Sequence, residues 1–161
     1  MKRTGTNLLG IMVVVLLLAP CGHALAPAQT EMPEVKAALT SFIEAFDNLD
    51  WDKFRYSFED DATVFYPRAF PHRASGREEF EKTFRTVFEQ IRGSQTHPPY
   101  MHITPIDLHI QLIGDVAIAT FHLDDRPGML NRRTLVLHKT ESGWKIVHLH
   151  ASEVAVGPPA K

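Results

Sequence analysis

The hydrophobic pattern of this chain changes its period near His97. Before that position, apolar residues recur at helical spacing in the segments 33–48 and 75–92. After it apolar and polar residues alternate, and turn signals bound four candidate strands, which are 103–113, 116–123, 130–138 and 144–154. This order predicts an α+β domain in which three N-terminal helices cover one face of a strongly curved antiparallel sheet.

Local signals delimit the elements before His97. Pro33 is tolerated at a helix start because its missing N–H would be unpaired there, Asp50 is a good capping residue, and Ser75 begins a capping box. The predicted helices are 33–48, 50–58 and 75–92. A short strand is predicted over 62–66, and 65–75 is predicted to be a loop.

Residues 1–26 have the form of a secretory signal peptide. Lys2 and Arg3 give a positive start, residues 8–19 are apolar, and Ala24-Leu25-Ala26 supplies small residues for cleavage. As a helix the apolar run rises roughly 18 Å, short of the roughly 30 Å hydrocarbon layer, so no stable membrane span is expected. We therefore expect export to the periplasm or the extracellular space.

The processing of this segment has alternatives. Cleavage after Ala24 or Ala28 competes with cleavage after Ala26. The sequence before Cys21 resembles a bacterial lipobox, but Pro20 stands where a small residue is expected, so lipoprotein anchoring at Cys21 is disfavoured. The remaining chain is predicted to comprise a tether over 27–32, one domain over 33–156 and a flexible end over 157–161.

Charge and cysteine content exclude several classes of function. Seventeen Lys and Arg against 19 Asp and Glu give a net charge of −2, too balanced for a nucleic-acid-binding protein. The single cysteine excludes a disulfide framework and a zinc site of several thiolates. His148 and His150 would point the same way on a strand, with His138 as a potential third ligand, but no nearby carboxylate completes the set. No metal and no cofactor is predicted.

Two motifs carry a resemblance to known families. Residues 58–64, which contain Asp-Asp-Ala-Thr-Val, resemble a signature of ketosteroid isomerases, and residues 144–152 resemble the closing strand of the calcium/calmodulin-dependent kinase association domain. Both families belong to the nuclear transport factor 2-like, or SnoaL-like, superfamily. The resemblance implies a cone of helices against a bent sheet, with a pocket inside and frequently a homodimer across the outer sheet face.

The groups that give those families their activity are replaced. The resemblance puts Tyr66 at the position of the isomerase's catalytic Asp and Phe42 at that of its oxyanion-binding Tyr. A phenol with a pKa near 10 is a poor base at neutral pH, and a phenyl ring donates no hydrogen bond. His122, Leu135 and Ala151 fall where the association domain has arginines. Neither steroid isomerisation nor the same acid-binding pocket is expected.

The remaining polar candidates for a ligand-binding site are Tyr66, His122 and Arg133, with Trp51 and His102 as weaker ones. A hairpin is expected to bring His122 and Arg133 toward Tyr66 inside the cone. Alternatively, Arg133 forms a structural ion pair with an aspartate, and Tyr66 is a buried ring with a satisfied hydroxyl. No catalytic residue is identified.

Strand alternation separates the last strand into two faces. Val147, Leu149 and Ala151 are predicted to face the core, whereas His148 and His150 project outward. The sequence favours an exported SnoaL-like protein with a pocket for a small organic molecule, leaving lyase, isomerase or oxidoreductase activity open. The alternative is a non-enzymatic homodimerising or ligand-binding module, with Trp144, Ile146, His148 and His150 in the contact between two sheets. A cavity filled by bulky side chains would favour this alternative.

Overall fold

The computed structural model of the protein describes residues 27–66, 70–94 and 96–157. It confirms the predicted α+β cone, with helices on the inner face of one curved six-stranded sheet. The elements in chain order are α1 (Pro27–Asp47), α2 (Trp51–Tyr56), β1 (Phe58–Tyr66), β2 (Phe70–Ser75), α3 (Gly76–Ser94), β3 (Ile106–Ile113), β4 (Val116–Arg126), β5 (Met129–Thr140) and β6 (Gly143–Ala155). The predicted signal peptide over 1–26 lies outside the described residues, as does the predicted flexible end beyond residue 157.

Helix α1 begins at Pro27, six residues earlier than predicted, so residues 27–32 are helical rather than an irregular tether. Pro33 lies inside the helix, where it removes one backbone hydrogen bond. Tertiary contact offsets this loss, because Lys139 on β5 lies 3.1 Å from the Glu31 carboxylate and 3.4 Å from that of Glu34. Among the described residues, no helix is long and apolar enough to cross a membrane.

The sheet has the order β2-β1-β6-β5-β4-β3. Its pairs are antiparallel except for β1 and β6, which run parallel, so the prediction of a wholly antiparallel sheet is wrong at this one junction. The prediction of a loop over 65–75 is also wrong, because β2 occupies most of this range. Strand β2 pairs with β1, placing Ser75 opposite Thr63 and Ala74 opposite Val64.

A β-bulge at Val147 reverses the alternation within β6. His148 pairs with Val136 while Ile146 pairs with the next residue, Leu137, so Val147 is the extra residue. Both Ile146 and Leu149 are therefore buried against the core. Leu149 and Ala151 face inward as predicted, but the prediction that Trp144 and Ile146 lie on the outer face is wrong, since both are buried.

Phenylalanine rings fill the narrow end of the cone. Phe54 from α2 is central, with ring centroids 4.8 Å from Phe84 and 5.0 Å from Phe88 on α3 and 5.6 Å from Phe42 on α1. Phe58 at the start of β1 packs on Phe80 at 4.8 Å. Close aromatic packing of this kind adds to the stabilisation from burial alone.

Candidate functional site

A small enclosed cavity, the cone cavity, lies between α1, α3 and the inner face of the sheet. Its volume is about 30 Å³, enough for one or two water molecules. Most of its lining is apolar, and its described polar members are Tyr66 and Arg133. The lining residues are Phe42, Ile43, Phe46, Tyr66, Phe84, Met101, Ile103, Phe121, Leu123, Arg133, Leu135 and Leu149.

Strand alternation brings Tyr66 and Arg133 to this cavity. Arg133 pairs with Phe121 on β4 and with Ala151 on β6, two buried residues of the inner face. Tyr66 ends β1 on the face of the buried Val64, and its ring meets that of Phe84 edge to face at 5.4 Å. Both side chains are half-buried, and Arg133 Nη1 also donates to the Arg132 carbonyl at 3.1 Å. Tyr66 and Arg133 therefore both line the cone cavity.

The other three predicted site residues lie elsewhere. His122 pairs with Arg132 on the outer face, because burying its larger apolar neighbours Phe121 and Leu123 fixes the alternation of β4. The expectation that His122 faces the cone is therefore wrong. His102 is exposed on an irregular segment. Trp51 begins α2 and stacks outside the cavity, with the Arg85 guanidinium 4.1 Å from its ring centroid and its buried Nε1 without a hydrogen-bond partner.

The described cavity lining contains hydrogen-bond donors but no carboxylate, imidazole or thiol. A guanidinium is always charged, and a phenol has a reference pKa near 10, so neither is an effective base at neutral pH. Phe42 contributes a phenyl ring to the lining, as expected. These groups can therefore hold and polarise an oxygen of a bound molecule, whereas abstracting a proton would need a base from outside the lining.

An irregular segment that sequence reasoning missed closes one side of the cavity. Residues 96–105, the lid segment, contain no helix or strand, and their Met101 and Ile103 side chains line the cavity. Asp47 holds the segment: its carboxylate accepts the N–H of Met101 at 2.9 Å and that of Ile103 at 3.4 Å. Its carbonyl accepts the N–H of Tyr100 at 2.7 Å. No local pattern reveals a contact across more than 50 residues.

The outer face of the sheet carries several histidines in distinct environments. His148 Nδ1 lies 2.8 Å from Thr63 Oγ1, and burial lowers the pKa of His148, with further lowering from the charges of His150 and Arg73. His138 Nδ1 lies 2.8 Å from a Glu59 oxygen, a hydrogen bond that raises its pKa. Within the described part of the chain, no group of three or more His, Cys, Asp or Glu side chains is arranged to hold a metal ion.

A larger groove of about 750 Å³ lies at the opposite end of the molecule, beside α2 and the β5–β6 turn. Its cations are engaged with the protein itself. Arg77 bonds Asp60 and Glu81, and Lys145 donates to the Tyr56 carbonyl at 2.7 Å. We place the candidate ligand site in the smaller cavity because its lining is mostly apolar and includes two polar side chains, Tyr66 and Arg133.

Helices closing one face of a bent sheet around an interior cavity define the nuclear transport factor 2-like class of folds. The chain belongs to the SnoaL-like domain family within it, since the profile of that family matches residues 35–157. It has no significant match among curated protein sequences. The family assignment agrees with the resemblance carried by residues 58–64 and 144–152.

Solved structures confirm the fold. A proposed dehydratase of the same class from Streptomyces avermitilis aligns with 80% of this chain and 99% of its own at a TM-score of 0.67 and 23% identity. A proposed ketosteroid isomerase from Shewanella frigidimarina covers 74% and 94% of the two chains at 0.58 and 22%. The CaMKII hub of S. rosetta covers 76% and 95% at 0.55 and 26%. At these identities the likeness establishes architecture rather than activity.

Proposed function

We propose that this protein binds a small organic molecule in the cone cavity, with Arg133 and Tyr66 contacting an anionic or carbonyl oxygen of the ligand. The observation that carries the proposal is the meeting of these two donors in an otherwise apolar lining. A few placed polar groups in an apolar concavity are typical of ligand sites. An aromatic carboxylate satisfies both parts of this lining, because its ring matches the apolar walls and its charge matches the guanidinium.

The ligand must displace side chains to enter. Ligand sites usually measure roughly 300–1,000 Å³, whereas the cavity measures about 30 Å³. Met101 and Ile103 are the lining residues best able to move, since they lie on the irregular lid segment rather than on a helix or strand. The preferred ligand is therefore small, and its binding is coupled to a shift of this segment.

Binding, rather than the chemistry proposed for two structural neighbours, fits the described lining. One of those neighbours is a proposed dehydratase and another a proposed ketosteroid isomerase. Isomerisation and dehydration both need a base, which the described lining of this cavity does not supply. Lyase, isomerase or oxidoreductase activity of this chain would require a base or an oxidant from outside the described cavity lining.

A direct test compares 2-naphthoate with 2-naphthamide, which has the same aromatic body without the negative charge. Fluorescence titration of the purified protein is expected to show carboxylate binding at least about 10-fold tighter than amide binding, as expected for a charge-assisted hydrogen bond. Equal affinities, or binding of neither compound, would contradict the proposal. Native mass spectrometry of the purified protein tests in parallel for a small molecule retained from the producing cell.

A second candidate role is homodimerisation through the outer face of the sheet. Among the described residues, two large apolar side chains of this face are exposed: Ile113 on β3 is 61% exposed, and Phe65 on β1 is 39% exposed. Ile118 and Val136 lie in the centre of this face and pair across β4 and β5. Apolar residues that are exposed on a sheet face are frequent in protein interfaces. A second copy of the chain supplies a complementary surface by two-fold symmetry.

Sedimentation equilibrium tests the dimer. Ile118→Glu places a charge at the centre of the proposed interface and is expected to convert a dimer to a monomer. Glu89→Gln on the exposed side of α3 serves as a control that leaves the association unchanged. A wild-type protein that is monomeric at high concentration would rule out this role without affecting ligand binding.

We propose export of the protein from the sequence of residues 1–26, which lie outside the described residues. The positive start, the apolar run and the small residues near Ala26 favour removal of a signal peptide during secretion. The intact mass of the protein recovered from the periplasm or medium distinguishes cleavage after Ala24, Ala26 or Ala28, and lipidation of Cys21 would add the mass of acyl chains. A full-length protein in the cytoplasm would contradict export.

A further inference from the structure

We propose that the ligand reaches the cone cavity through a groove on the side of the molecule, and that Ile103 is the gate between them, held shut by Asp47. This inference rests on the proposed ligand-binding function. Asp47 is a positioning residue in this proposal, because it acts on the route to the cavity through the lid segment.

The side groove lies between α1 and the chain leading into β3. It measures about 440 Å³, a volume within the range of roughly 300–1,000 Å³ that small-molecule sites occupy. Its floor is mostly apolar, with a lysine and a glutamate among its polar members. The residues that line it are Lys36, Leu39, Thr40, Ile43, Glu44, Ile103, Pro105 and Leu108.

Two side chains separate this groove from the cone cavity. Ile43 and Ile103 each line both spaces, so the wall between them is one side chain thick. Movement of either side chain would join the cone cavity, which is too small for an organic ligand, to the side groove, which is large enough. The groove therefore supplies the volume that the closed cavity lacks.

Ile103 is the movable member of this pair. Ile43 is held in the hydrogen-bonded backbone of α1, whereas Ile103 lies on the irregular lid segment. The lid segment is attached through three backbone N–H groups, those of Tyr100, Met101 and Ile103, all of which donate to Asp47. Loss of the Asp47 carboxylate would remove two of these three bonds and free the gate.

The position of Asp47 supports this role. Asp47 is the last residue of α1, and a carboxylate at the C-terminal end of a helix interacts unfavourably with the helix dipole. The last turn of α1 contains no basic residue to offset that cost. The hydrogen bonds to the lid segment are the compensating interaction that the structure shows, so Asp47 stabilises the lid at the expense of its own helix.

The test is the rate at which 2-naphthoate associates with the full chain, followed by stopped-flow fluorescence. Ile103→Ala and Asp47→Ala, which removes the oxygen that accepts two of the three bonds, are each expected to raise the association rate constant about 5-fold or more, because a gating step slows binding. Ile103→Trp places a larger side chain between the groove and the cavity, and it is expected to lower the association rate constant by a similar factor. Ile106→Ala, at an exposed isoleucine three positions along, and Asp52→Ala, at an exposed aspartate, are the matched controls.

The outcomes separate this inference from the function on which it rests. If wild type binds 2-naphthoate in preference to 2-naphthamide but none of the Ile103 and Asp47 variants changes the association rate, the gate is disproved and the binding function stands. If wild type shows no preference for the carboxylate, both fail. Circular dichroism confirms that each variant is folded, and Asp47→Ala, which leaves the side chains that line the cavity unchanged, covers the case in which Ile103→Ala is unstable.

Discussion

Arg132 and Arg133 are consecutive on β5, and they lie on opposite faces of the sheet. Arg132 pairs with His122 on the outer face, whereas Arg133 pairs with the buried Phe121 and lines the cone cavity. The two residues therefore carry the same charge in different surroundings, one open to solvent and the other beside apolar side chains. This pairing provides a matched comparison for the proposed site.

Arg133→Gln is expected to weaken 2-naphthoate binding by about 10- to 100-fold, because a charge-assisted hydrogen bond in an apolar cavity contributes about 1.5–3 kcal/mol. Arg132→Gln removes an equal charge from the outer face and is expected to leave the affinity nearly unchanged. Isothermal titration calorimetry measures both. Equal losses in the two variants would mean that the effect is long-range electrostatics rather than contact in the cavity.

Tyr66→Phe removes one hydroxyl from the same cavity while keeping the ring that packs on Phe84. The expected loss of affinity is about 3- to 10-fold, the effect of one neutral hydrogen bond. Tyr56→Phe is the control, since Tyr56 is 63% exposed on the far side of the molecule. A change in thermal stability without a change in affinity would show that the Tyr66 hydroxyl is only structural.

Phe54→Ala is expected to destabilise the fold by about 3–5 kcal/mol, because Phe54 is fully buried and its ring touches those of α1, α3 and β1. Phe65→Ala removes the same side chain from the partly exposed outer face and is expected to cost about 1 kcal/mol or less. Urea denaturation measures both. A similar cost for both variants would contradict a core centred on the phenylalanine rings.

Local patterns predicted most of the elements of this fold. The helical period over 75–92 corresponds to α3, and alternation after His97 corresponds to β3–β6, because burial of an apolar face decides both. The parallel junction of β1 with β6 depends on contacts between residues about 85 positions apart, such as Thr63 and His148. Local spacing contains no information about such a pairing.

Errors in the predicted site have a common physical cause. Alternation predicts a face only relative to a starting residue, so a shift of one position reverses it. That shift misplaced His122, and the bulge at Val147 misplaced Ile146. Arg133 lies on the face of the buried Leu135, because the register of β5 and β6 does not shift between these two residues. Tyr66 lines the same cavity although the register of β1 and β2 shifts between Val64 and Tyr66.

The ion pair of His138 with Glu59 is expected to stabilise the fold more at low pH. The hydrogen bond to Glu59, and the carboxylate of Asp115 at 3.6 Å, raise the pKa of His138 above its ordinary value of 6.5. The folded state therefore binds the proton more tightly than the unfolded state. The stabilisation is fully present below pH 6.5 and is lost as the pH rises through the raised pKa.

His138→Gln should remove this dependence. Urea unfolding of the wild type and the variant at several pH values between about 5.5 and 8 measures it, and the stability difference between the two proteins is expected to shrink as the pH rises. His97→Gln, at an exposed loop position, is the control. A difference that stays constant across this range would show that the contact with Glu59 carries no net charge interaction.

His148 is expected to have the opposite effect on the same face of the sheet. Burial, followed by the nearby charges of His150 and Arg73, lowers the pKa of His148 below 6.5, so the unfolded state takes up the proton first as the pH falls. Stability is therefore lost as the pH drops from 6.5 toward the lowered pKa. His148→Asn removes the titrating ring and retains a polar group beside Thr63. This variant should therefore lose less stability than wild type when the pH is lowered from 7.5 to 5. Urea denaturation measures this loss, and His97→Asn is the control. Equal losses in His148→Asn and wild type would place the acid sensitivity elsewhere, and a loss that depends on protein concentration would place it in the interface between two copies.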